Sequence, residues 1–181
     1  MLVAKQVADL LTLSRVIIAF ALVIVGILKG AAGLPTAVCL LLLSWTTDSL
    51  DGPLARRSRV QYRSWFGDHD LEADIAASIG LLIYLMSSGY VNKWVGSGYF
   101  ILMAVVYYLL GSPRSMGMLF QAPIYGWFMW VAVREIPLMG ILLWLWIILA
   151  VLITWPRFPK MVVPEFIGGI REIYFIWAKP K

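Results

Sequence analysis

Four aspartates stand in two pairs, Asp48 with Asp51 and Asp70 with Asp74, in a chain with few other acids. A spacing of three or four residues places both members of a pair on one face of a helix. Carboxylates among apolar helices are costly and mark functional sites. Four that face one another repel strongly unless a cation lies between them. Hard oxygen donors suit Mg²⁺ or Mn²⁺, not copper or zinc. Magnesium keeps waters and bridges to phosphate oxygens, so carboxylates beside an arginine imply a phosphorylated substrate. Two ions about 3.5–4 Å apart fit a set of this size. One carboxylate can also take the proton of an attacking hydroxyl that it reaches.

On a helix at about 100° per residue, Asp48, Asp51, Gly52 and Ala55 form one stripe. The small Gly52 and Ala55 admit another helix or a flat ligand close to the backbone. Asp70 and Asp74 form the matching stripe of the next helix. Asp68 and Glu72 point about 200° away and are expected to pair with loop arginines. His69 faces elsewhere too, and a hard cation has no need of imidazole.

These side chains call for a membrane fold to position them. Of 181 residues, 61% are hydrophobic and the mean hydropathy is +0.84, against about 45–50% apolar in soluble domains. The expectation is an all-α, polytopic integral membrane protein forming one domain over 1–181. Six spans are predicted, at roughly Leu10–Leu28, Pro35–Ala55, Leu71–Tyr90, Gly96–Gly111, Met116–Val133 and Pro137–Trp155. The residues before Leu10 and the stretch Pro164–Trp177 read as short interfacial helices. Gly30-Ala31-Ala32-Gly33 looks a little like a signal-peptidase site, but Asp9 and Arg15 interrupt the segment before it, so a retained helix is expected. A single cysteine and a single histidine exclude an intrachain disulfide and a zinc motif, and Cys39 is expected to pack in the interior.

The net charge of +5 is not a nucleic-acid signal, because the cations cluster where a membrane protein needs them. With six spans and a cytoplasmic N-terminus, twelve cations fall on the inner side and three, Lys29, Lys93 and Arg134, on the other. The positive-inside rule then puts both termini, and the aspartates, at the cytoplasmic face. Arg15, near the inner end of the first span, has two readings, snorkelling and reaching the substrate, and snorkelling is the one expected. Arg114, on the inner side between spans four and five, is the candidate for holding an acceptor phosphate, with a positive-inside anchor as the rival reading.

The run Asp48-x2-Asp51-Gly52-x2-Ala55-Arg56, then Gly67 and Asp70-x3-Asp74, closely resembles the signature of the CDP-alcohol phosphotransferases, membrane enzymes of phospholipid synthesis. The segment from Asp9 to Arg15 is similar to the start of that family's first helix. One departure is the glycine: the longer family spacing would put it where Phe66 stands. The resemblance implies six membrane helices and a transfer from a CDP-alcohol, typically CDP-diacylglycerol, to a hydroxyl acceptor with release of CMP. It implies that Asp48, Asp51, Asp70 and Asp74 bind Mg²⁺ or Mn²⁺, with Asp74 also the general base. Gly52, Ala55, Arg56, Ser64 and Gly67 correspond to substrate-binding positions, and Thr12 joins them from the first helix. The favoured acceptor is glycerol 3-phosphate, as in phosphatidylglycerophosphate synthases; inositol phosphate, serine or a lipid acceptor stay open. A homodimer is implied as well. Two other readings remain: a divalent-cation transporter built on the same carboxylates, and a catalytically silent homologue. A transport site would lie near mid-membrane between repeated halves, and no repeat is visible here.

Overall fold

A computed structural model describes residues 4–57, 69–109 and 114–156, together with 160, 164, 167 and 168. The chain is all-α over these residues. Helix α1 spans Ala4–Lys29, α2 Leu34–Arg57, α3 Asp70–Ser87, α4 Lys93–Leu109, α5 Arg114–Glu135 and α6 Pro137–Thr154. Five of the predicted spans coincide with α2 to α6 to within about three residues at each end, and the first, Leu10–Leu28, lies inside the longer α1. The breaks follow local chemistry. Gly30 takes a left-handed φ of +53° at the 3-10 turn Gly30–Gly33, a conformation that costs glycine little. Pro137 opens α6, where its missing N–H is no loss.

Three helical segments are long and apolar enough to cross a membrane: Gln6–Asp51, Met116–Glu135 and Pro137–Thr154. The first has 46 residues, about 69 Å of helix against a hydrocarbon core of about 30 Å. It folds back at the 3-10 turn, so that α1 and α2 pack side by side. Outside, the molecule is oily. In α6 only Gly140 and Leu143 are buried, while Leu138, Leu142, Leu149 and Ile153 are exposed.

Two expectations need correction. The residues before Leu10 are not a separate surface helix; α1 starts at Ala4 and runs through them. Ala8, Thr12, Arg15, Ala19 and Leu22 are all buried, so one interior face continues unbroken through that point at helical spacing. Cys39 is exposed on α2 and does not pack inside. An apolar residue in a membrane helix suits lipid as well as the interior, so its type does not choose the face. The stretch Pro164–Trp177 lies largely outside the described residues.

The site depends on α1, which packs extensively against both α2 and α3 while those two scarcely touch each other. Small residues make the approach close. A Cβ on Gly80 would sit 2.5 Å from the Ala19 carbonyl oxygen, and Ala73 and Ala77 continue the same buried seam along α3. Across the bundle, a Cβ on Gly117 would lie 2.8 Å from the Leu71 side chain. That contact sets the first turns of α5 and α3 next to each other.

Candidate metal centre

The carboxylates converge at one end of the bundle. Asp48 and Asp51 come from the last three turns of α2, Asp70 and Asp74 from the first two of α3. A helix N-terminus favours negative charge, which suits the position of Asp70. Asp48, Asp70 and Asp74 each offer a carboxylate oxygen within 4.8 Å of the others. Their side chains are 47%, 45% and 26% exposed, so the cluster is open on one side, whereas Asp51 is enclosed at 11%. Three hard oxygens from two helices, open to incoming ligands, fit Mg²⁺ or Mn²⁺ by donor type and number.

A cation already sits among them, supplied by the chain itself. The side chain of Arg15 is fully buried, and its guanidinium contacts all four carboxylates. Nη1 donates to Asp48 Oδ1 at 2.9 Å and to Asp74 Oδ1. Nη2 donates to Asp51 Oδ2 and to Asp70 Oδ1. Each terminal nitrogen thus ties one carboxylate of α2 to one of α3. Thr12, one turn earlier, accepts from Nη2 at 3.3 Å and lies 3.5 Å from Asp70 Oδ1. The Nε of Arg15 is buried without a hydrogen-bond partner among the described residues.

Arg15 therefore does not snorkel. It lies on the seam where α1 meets both neighbours, three residues after Thr12 and four before Ala19. A buried guanidinium is tolerable only when paired, and here four carboxylates pair it. The sequence held the signal in two pieces: Arg15 shares the helical face of small residues, and four nearby acids needed a cation. Sequence reasoning sought that cation only as metal.

Thr12 is brought to the cluster and buried there. Gly52, Ala55 and Arg56 continue α2 past Asp51, and Arg114 opens α5; for these four only the helical backbone is described. Because Gly117 packs on Leu71, the start of α5 lies at the carboxylate end. Ser64 and Gly67 fall outside the described residues, as does Asp68. Glu72 is exposed on α3. Arg134, at the far end of α5, lies 5.4 Å over the Trp130 ring, with its Nε 3.7 Å from Glu135.

A second feature went unread in the sequence. Trp45, one turn before Asp48, meets the Tyr125 ring edge-on at 5.5 Å and Trp146 at 5.4 Å. Trp146 Nε1 also donates to Thr46 Oγ1 at 3.1 Å. These contacts fasten α2 to α5 and α6 just inside the carboxylates. Towards the other end of α3 lies an apolar cavity of about 390 Å³, lined by Leu82, Leu85, Val95, Tyr99, Ile124 and Trp127.

In comparisons with known proteins, no family model, no curated protein and no solved structure matches this chain.

Proposed function

We propose that this chain is a multi-pass membrane enzyme of the CDP-alcohol phosphotransferase type. It would move a substituted phosphate group from a CDP-alcohol such as CDP-diacylglycerol to a hydroxyl acceptor, with glycerol 3-phosphate favoured, and release CMP. One observation carries the reading. Carboxylates spaced as Asp48-x2-Asp51 and Asp70-x3-Asp74 on two helices meet at one end of the bundle, three of them within 4.8 Å. Its position there favours an enzyme over a transporter, whose ion site belongs near mid-membrane. In this reading all six helices cross the bilayer. The 17 residues of α4 span about 25 Å, enough with modest local thinning. The carboxylates face the cytoplasm, where soluble acceptors arrive.

Asp48, Asp51, Asp70 and Asp74 would hold one or two Mg²⁺ or Mn²⁺ ions. Bound there, divalent metal neutralises a diphosphate and stabilises the departing CMP. The remaining work belongs to the chain. Asp74 takes the proton of the acceptor hydroxyl as the oxygen–phosphorus bond forms and the bond from phosphorus to the CMP oxygen breaks. Gly52, Ala55, Arg56, Ser64 and Gly67 are assigned to the donor, Arg114 to the acceptor phosphate, and Thr12 to the approach from α1. A homodimer belongs to the same proposal.

Purified protein incubated with Mg²⁺, CDP-diacylglycerol and a panel of acceptors tests it. CMP should appear with glycerol 3-phosphate, should need an acceptor, and should stop when EDTA is added. No CMP with glycerol 3-phosphate, inositol phosphate, serine or a lipid alcohol would remove the transferase reading.

A further inference from the structure

We propose that Arg15 is a built-in competitor of the metal: its guanidinium and a divalent ion take turns in the same carboxylate set, and metal binds only by displacing it. The inference rests on the metal site proposed above and adds how that site is occupied and regulated. The three carboxylates that can converge on one ion, Asp48, Asp70 and Asp74, are all held by Arg15. A magnesium ion binds its oxygens at about 2.0–2.1 Å. If the ion takes the Oδ1 atoms that Arg15 holds, it needs the space that Nη1 and Nη2 now fill, and two cations that close repel strongly.

Charge explains why both states are tolerated. Four carboxylates and one guanidinium leave a net charge of −3 when all are ionised. Arg15 alone therefore neutralises only part of the cluster, and an ion of higher charge gains more from the same oxygens. In the arginine-filled state, α2 and α3 stay bridged through α1 without metal. The fit is incomplete as well: a buried Nε without a partner has lost its hydration for nothing, and expulsion of the side chain restores it. Free of the carboxylates, a guanidinium beside bound metal is also suited to the phosphate oxygens of a substrate.

Mn²⁺ binding to the full-length protein, followed by electron paramagnetic resonance, tests this without any turnover. Arg15→Met removes the competitor and keeps the side-chain length. Mn²⁺ should then bind at least about fivefold tighter than to the wild type, the lower end of the typical coupling between two linked binding events. The metal-free variant should unfold at a lower temperature than the wild type, and Mn²⁺ should raise its unfolding temperature by more. Arg15→Lys keeps one charge but loses the planar fork, so its affinity should fall between the two. It decides the matter if Arg15→Met does not fold. Equal or weaker Mn²⁺ binding in the variant that folds would overturn the competition. CMP release is scored separately. Tighter Mn²⁺ binding without any transferase activity keeps the inference and removes the enzyme; activity with unchanged Mn²⁺ affinity does the reverse.

Discussion

Where α1 crosses α3, backbone nearly meets backbone: the Gly80 position leaves room for hydrogen alone against Ala19. Where α4 meets α5, aromatic side chains make the contact, with the Tyr99 ring stacked on Phe120 at 5.8 Å and its hydroxyl donating to the Phe120 carbonyl at 2.7 Å. The first region carries a buried guanidinium and the carboxylates. The second carries apolar cavities and turns wide lipid-type surfaces outward. Lipid is as apolar as leucine, so helices in a membrane gain little by hiding apolar surface from it. Close packing of small residues and polar pairing do the holding instead, and α1–α3 concentrates both. Rigid placement of charge thus belongs to the first three helices, and the looser, aromatic contact to α4 and α5, although a Cβ on Gly140 of α6 would also meet the Val133 backbone at 2.5 Å.

Single substitutions should separate the two regions. Asp74→Asn should lower CMP release by about 10²–10⁴-fold, the usual worth of a general base, in a single-turnover assay. A variant that keeps its rate would strip Asp74 of that role. Gly80→Val forces a side chain into the Ala19 backbone and should cost about 1–3 kcal/mol, read as a lower unfolding temperature in detergent and weaker Mn²⁺ binding. Its counterpart Gly126→Ala, with nothing within 4 Å, should be neutral or stabilise by up to about 1 kcal/mol through helix propensity. Equal losses at both glycines would erase the contrast. Arg114→Ala should raise the KM for the acceptor about tenfold, the loss of one charge-assisted pair, and the donor's KM less; equal shifts would count against an acceptor role. Tyr99→Phe removes one hydrogen bond and should cost about 1 kcal/mol or less, with CMP release unchanged.

How far each region could be read from the sequence follows from the same physics. The six helices were legible because proline, glycine and polar breaks interrupt otherwise continuous apolar runs, as at Gly30 and Pro137. The aspartate pairs were legible because carboxylates in such runs are rare and helical spacing fixes their facing. Arg15 was misread because an arginine near a span's end usually snorkels, and the small-residue seam shared by α1 and α3, together with the four carboxylates it meets there, turns it inward. Its burial also removes one of the twelve cations that the expected six-span topology assigns to the inner side, without changing which side holds the excess. Cys39 was misplaced because nothing in an apolar residue distinguishes lipid from interior.

The claim on which the whole account stands is that these carboxylates bind a divalent cation together. Titration of purified wild type, Asp48→Asn, Asp70→Asn and Asp74→Asn with Mn²⁺, read by electron paramagnetic resonance, tests it most directly. Saturable binding by the wild type, weakened about tenfold or more by each replacement, is the predicted result; loss of a group that merely orients a ligand already costs about that much. A wild type that binds no Mn²⁺, or three variants that bind it as tightly as the parent, would contradict the account.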